Sequence, residues 1–277
     1  MKPLMVLILS IALLESGAQA AEPSQALDPA PTAKDWAALA ALPDWSGVWV
    51  PDINDHQKQI TSNPPPWLPA AAAKAAALDA EERGGRPRGL FVNCLPEGMP
   101  SLMLITHNSI EFLFVPGRIV MLGESDGGRE RRIYTDGRSH PSDPDPSFHG
   151  HSIGHWEGDT LVVDTVGILP QAYIAVSEAV GLANNGDLHV IERLRVSAPN
   201  TLTDELTIIA PKVFSAPWKT TRVFFRDRAR QHEIVEGSCL QGKFAEGVDA
   251  HGDAAFIPLK FDDQGAPIPP DSGGSPP

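Results

Sequence analysis

The sequence predicts an all-β fold, an antiparallel meander closed as a barrel in preference to a sandwich, with one or two short helices at its edge. Three observations carry this. From Leu102 onward, β-rich segments come in pairs separated by short turns. No helical segments lie between them of the kind that parallel βαβ units require. Finally, 42% apolar and 21% charged residues in 277 positions are enough to build one sizeable core.

The elements follow in order. Residues 1–20 hold Lys2, an apolar run from Leu4 to Leu14 and Ala18-Gln19-Ala20. The run is about half the roughly 20 residues a membrane span needs, so it reads as a secretory signal peptide cut after Ala20. The expected location is therefore outside the cytoplasm, and the periplasm if the host is Gram-negative. No later stretch is apolar enough to span a membrane. Residues 21–35, rich in Ala and Pro, read as a disordered linker, and 265–277, with five prolines and three glycines, as a disordered tail. The span 36–264 reads as a single β-rich domain.

Within it, Trp36–Leu42 is a short helical stretch, and Ala70–Arg83, after Pro64-Pro65-Pro66, is an Ala-rich surface helix with a poor apolar stripe. Hairpins are expected from 110–115 with 118–124 around Pro116-Gly117, and from 153–157 with 160–165 around Gly158-Asp159. Two more are expected from 188–196 with 202–209, and from 220–228 with 232–237.

A net charge of −13 argues against a nucleic-acid partner. The two cysteines, Cys94 and Cys239, read as a disulfide in an oxidising compartment. In the chain-entropy model so long a loop stabilises by roughly 5 kcal/mol. The chain lacks a phosphate loop, a dinucleotide fingerprint and a Cys-x-x-Cys pair.

Chemistry concentrates in the histidines. Four of the nine, His140, His149, His151 and His155, fall within sixteen residues. In the hairpin around Gly158-Asp159, period-two alternation puts His151, Ile153, His155, Glu157, Thr160, Val162 and Asp164 on one face and Trp156, Leu161, Val163 and Thr165 on the other. Asp164 then lies opposite Ile153 with His151 and His155 as diagonal neighbours, an arrangement suited to acid–base catalysis that needs no cofactor. The other reading of the same face is a polar, solvated sheet surface. Tyr134, Asp136 and Arg138 in Arg131–His140 are candidate substrate-binding groups, although Asp136 and Arg138 could equally cap the turn by pairing with each other. Glu192 and Arg193 are further candidates; Glu192, between Val190 and Leu194, reads as an inward carboxylate that is either perturbed or paired with an arginine. A rival use of the histidines is a zinc, iron or copper site on His149 and His151, completed by a third ligand such as His140, His107 or His189.

Two resemblances are carried by these residues. The Gly47-x-Trp49 pair in Trp45–Val50 resembles the opening strand of calycin, or lipocalin-like, barrels, where the Trp plugs one end. The blocks Ile133–Arg138 and Gly150–Thr165 resemble an uncharacterised family of exported bacterial proteins, with His189–Arg193 and Pro217-Trp218 also fitting; this resemblance implies export and brings no reaction. The leading expectation is an exported barrel that binds, and converts by His/Asp chemistry of lyase, isomerase or hydrolase type, a small apolar or aromatic molecule. A metal-dependent protein and a structural envelope protein without a pocket are the alternatives. The oligomeric state is left open.

Overall fold

A computed structural model describes residues 30–85, 90, 96–105, 109–124, 130–177 and 179–234, and the strand segments 244–248, 254–258, 260–261 and 267–268. Nine strands close a barrel: β1 (Val48–Pro51), β2 (Ile110–Val115), β3 (Arg118–Gly123), β4 (Arg131–Tyr134), β5 (His151–Glu157), β6 (Thr160–Val166), β9 (His189–Ala198), β10 (Thr201–Ile209) and β11 (Trp218–Asp227). Between β6 and β9 the short strands β7 (Tyr173–Ala175) and β8 (Gly181–Ala183) pair with each other. Around the barrel the order is β1-β11-β10-β9-β6-β5-β4-β3-β2.

The hairpins expected at 110–124, 153–165 and 188–209 form, and the β5–β6 register is the one the turn dictates, from Glu157 opposite Thr160 to Ile153 opposite Asp164. Gly158 opens that turn with φ +64°, the left-handed backbone that glycine adopts without strain. The fourth hairpin differs: β11 pairs with β10 and β1, while the described residues 232–234 are not strand. Pairing with β1 closes the barrel and leaves no edge of β11 for a further strand.

The meander has one interruption. Strands β4 and β5 are parallel, with Ile133 opposite Ser152 and Tyr134 opposite Ile153. A parallel neighbour requires the chain to travel back along the sheet before re-entering it, so residues 135–150 run beside the barrel wall and return to the start of β5.

Helices are peripheral. α1 (Ala33–Ala38) begins inside the stretch expected to be linker, because Thr32 and Asp35 form a capping box, and a 3-10 turn follows over Leu39–Ala41. The amphipathic helix α2 (Ile53–Ser62), not foreseen from the sequence, packs on β11, with the buried His56 ring edge-on to Phe224. α3 (Pro69–Arg83) starts with Pro at its first turn and buries only Ala71 and Ala75, as its weak apolar stripe implies. α4 (Ser101–Leu104) is a single buried turn. Two short ladders, β12 (Phe244–Val248) with β13 (Ala254–Pro258) and β14 (Lys260–Phe261) with β15 (Pro267–Ile268), follow; the last falls in the stretch expected to be tail. Cys94 and Cys239 lie outside the described residues.

The barrel interior is a packed core. Trp49, Ile110, Ile119, Ile133, Leu161, Val163, Leu206 and Phe224 are buried in it, each large side chain worth about 1.5–3 kcal/mol of transfer free energy. Trp49 sits under the Arg226 guanidinium, 4.5 Å from the ring centroid, and Arg226 in turn bonds Asp44. A polar seam crosses this interior. Arg131 donates from Nη1 to Glu192 Oε1 at 2.8 Å and from Nη2 to Glu192 Oε2, to Thr165 at 3.1 Å and to Ser152 at 3.3 Å. Nearby Asp204 is fully buried; burial, reinforced by the Glu192 carboxylate, pushes its carboxyl well above the usual carboxylate range.

Gly150 positions the first residue of β5. It has φ +69°, and a Cβ there would lie 2.6 Å from the Val166 carbonyl oxygen. Gly150→Ala is expected to cost more than about 1 kcal/mol, whereas Gly158→Ala, also left-handed but in open space, should cost less. Urea midpoints of the two variants check this; equal losses would mean that the Val166 contact yields freely.

Candidate functional site

Strand alternation decides which face of β5 and β6 looks inward. Ser152, Leu161, Val163 and Thr165 are buried in the barrel and Trp156 packs against its core, so the His151 face points outward. The candidate site is therefore on the outer wall, and its walls are supplied by the 135–150 connection rather than by the barrel lumen.

Asp164 is the centre of the cluster. His189 Nε2 lies 2.7 Å and His140 Nε2 3.3 Å from Asp164 Oδ1, and His140 Nδ1 lies 2.8 Å from His151 Nδ1. Tyr134 stacks on the His151 ring at 5.3 Å between centroids and 25° between planes, and the Arg138 guanidinium lies 4.1 Å over Tyr134. Arg138 is held by Asp136, which accepts from its Nε at 2.9 Å and its backbone N–H at 3.1 Å. A hollow of about 550 Å³ opens here, lined by Asp136, Gly137, Arg138, Ser139, His140, Pro141 and His151.

The hydrogen-bond roles follow from Asp164. An ionised carboxylate only accepts, so His140 carries its proton on Nε2 and His189 likewise. His140 Nδ1 is then an acceptor, and His151 donates to it from Nδ1. The lone pair of His151 is left on Nε2. Burial first, then the nearby His140 imidazole and Arg138 guanidinium, which oppose a further positive charge, hold His151 below the ordinary imidazole value and keep that lone pair free at neutral pH.

Other candidates separate from this cluster. His155 is 66% exposed and bonds Glu157 at 3.2 Å, not Asp164. Arg193 pairs with Glu157 at 2.8 Å on the same outer face. Glu192 is the inward carboxylate paired with an arginine, which proves to be Arg131 from β4. Neither Glu192 nor Arg193 lines the hollow at His151. His149 is not on the strand: β5 starts at His151, after the left-handed Gly150, so the His-x-His spacing of one strand does not apply. Among the described residues no three His, Cys, Asp or Glu groups stand ready to hold one metal ion.

The sequence offers His140 and His189 as third metal ligands and joins neither to Asp164. The missing signal for His189 was the β6–β9 pairing: Asp164 is opposite Ile191, which makes His189 its diagonal neighbour. For His140 it was the parallel re-entry of β5, which no local pattern announces.

A separate cavity of about 360 Å³ is lined by Leu39, Leu42, Trp45, Phe112 and Phe114 among others. Trp45 also meets Trp156, which lies along β5 roughly 17 Å from His151 and about 10 Å from Ile153, the residue opposite Asp164. The expected single pocket with an apolar body and a His/Asp end is thus two separate places. A scan against known family models and a search of curated proteins each return no match to this chain.

Proposed function

We propose that this chain is an acid–base enzyme acting outside the cytoplasm on a small, flat, partly aromatic molecule. His151 Nε2 removes or returns the proton, with His140 and Asp164 behind it. One observation carries the reading: His140 turns opposite ring nitrogens to His151 and to Asp164, so the three groups form a line along which charge spreads as the base is protonated. Tyr134 and Arg138 supply flat faces beside the base, and Arg138 places positive charge next to the developing anion.

The test uses 5-nitrobenzisoxazole, a small aromatic molecule that opens when a base removes its ring proton. At pH 7 the second-order rate constant should exceed that of free imidazole by about 100-fold or more, within the range ascribed to a positioned base. Because the His151 pKa is lowered, the rate should rise with pH and level off below the ordinary imidazole value of 6.5. A rate no greater than imidazole's would sink the proposal.

A second reading is a transition-metal site, favoured by three imidazoles and a carboxylate gathered in one chain of contacts, a donor set that suits zinc. The opposed nitrogens of His140 do not converge on one centre, so an ion would require that ring to turn. Elemental analysis of untagged, chelator-free protein separates the two: near-stoichiometric zinc, iron or copper, lost in His140→Ala, establishes the metal reading.

A further inference from the structure

A second group of catalytic type stands on another part of the barrel wall. Val48 of β1 pairs with Glu111 of β2 on one side and with Asp227 of β11 on the other. Ser109 lies two positions before Glu111 and so shares its outward face. Two strand spacings, roughly 10 Å, separate Glu111 from Asp227, and the two residues from Glu111 to Ser109 bring the Ser109–Asp227 separation to roughly 12 Å. The chain after β11 turns back and sets the His232 ring in the gap: Ala229 N–H donates to Asp227 Oδ1 at 2.7 Å, and His232 N–H donates to the Ala229 carbonyl at 2.9 Å. His232 Nδ1 then lies 2.7 Å from Asp227 Oδ2, and Nε2 lies 3.4 Å from Ser109 Oγ.

We propose that Ser109, His232 and Asp227 are a nucleophile, a general base and its orienting carboxylate, forming a second catalytic centre that transfers acyl groups from small carboxylic esters. Connectivity defines such a set, whatever the fold or chain order. Asp227 accepts only, so His232 carries its proton on Nδ1 and presents the Nε2 lone pair to the serine hydroxyl. The Ala229 N–H first, and His232 second, hold the Asp227 carboxyl below the usual carboxylate range, so it stays ionised while the imidazole works. Ser109 itself is fixed at both backbone groups, donating its N–H to Glu124 Oε2 at 3.0 Å and accepting from Glu124 N–H at 3.2 Å. A hydroxyl–imidazole contact of 3.4 Å is long for a ground-state hydrogen bond and shortens in catalytic complexes.

The exposures set the substrate class. Ser109 is 5% exposed, while the His232 and Asp227 side chains are 28% and 39% exposed. An acyl carbon must therefore reach the hydroxyl past the imidazole edge, which admits compact acyl groups in preference to long chains. Ser109 Oγ bonds to the carbonyl carbon and its proton passes to His232 Nε2. The ester C–O bond breaks and the departing alcohol takes that proton. Water then attacks the acyl serine, giving its proton to His232; the acid leaves and the serine oxygen recovers the proton. None of these residues belongs to the His151 cluster, which lies on β4, β5, β6, β9 and the 135–150 connection.

The test is labelling of the full chain with diisopropyl fluorophosphate, where Ser109 Oγ displaces fluoride from phosphorus, followed by peptide mass spectrometry. Expected is one phosphoryl adduct on Ser109, absent from Ser109→Ala, slowed about 100-fold or more in His232→Gln and unchanged in His151→Gln. No adduct on Ser109, while trypsin in the same reagent is fully labelled, overturns the proposal. Labelling at an unchanged rate in folded His232→Gln does so too. If that variant fails to fold by circular dichroism, the pH dependence of wild-type labelling decides: a rate that climbs through an imidazole titration supports the centre, and a flat profile rejects it.

Discussion

Arg131→Met is expected to destabilise the barrel by about 3–5 kcal/mol, the cost of stranding one member of a buried ion pair. Arg131 and Glu192 are 1% and 0% exposed, and the guanidinium meets both carboxylate oxygens and two hydroxyls. Removing it leaves a carboxylate in an apolar interior already shared with Asp204, whose pKa the Glu192 charge helps to raise. The double variant Arg131→Met/Glu192→Met should recover most of the loss, because it removes both desolvated charges while Ser152 and Thr165 keep their 2.8 Å contact with each other. Urea denaturation of wild type, single and double variants measures the cycle. A single-variant loss under about 1 kcal/mol would mean that solvent reaches the seam, since only exposed pairs are worth so little.

The largest effect on activity should come from the outer cluster. In the base-catalysed opening of 5-nitrobenzisoxazole, His151→Gln should lose about 10²–10⁴-fold in rate, the usual worth of a positioned base. Asp164→Asn tests the line behind it. An amide in place of the carboxylate ends the requirement that His140 hold its proton on Nε2, so His151 no longer has a single acceptor on Nδ1. The variant should bind the molecule with nearly unchanged KM while kcat falls, and His155→Gln, whose ring bonds Glu157 and not Asp164, should leave both constants within twofold, as suits an exposed side chain away from the site. Equal losses in His155→Gln and Asp164→Asn would break the assignment.

Much of this was legible locally. A two-residue turn led by glycine dictates a register, so each cross-strand partner of β5 and β6, and with it the Asp164–Ile153 opposition, follows from Gly158-Asp159 alone. Alternation likewise put Glu192 inward among Val190 and Leu194 and allowed its pairing with an arginine. Alternation assigns faces but not which face is inside. The His151 face turned out to be the outer one, because the barrel needs the volume of Leu161, Val163 and Trp156 in or against its core.

What the sequence by itself determined is therefore the β class, the hairpin registers and the identity of a His- and Asp-bearing face, since each depends on residues only a few positions apart. Tertiary structure alone decided which histidines meet Asp164 and brought His232 to Ser109. His189 arrives because β9 lies beside β6, His140 because a parallel β5 forces residues 135–150 back along the wall, and His232 because β11 closes the barrel against β1. His155, by contrast, is carried away from Asp164 towards Glu157. Each of those meetings joins residues more than ten positions apart in the chain or in different strands, and they are set by the order in which strands pack around a shared core, which no local period encodes.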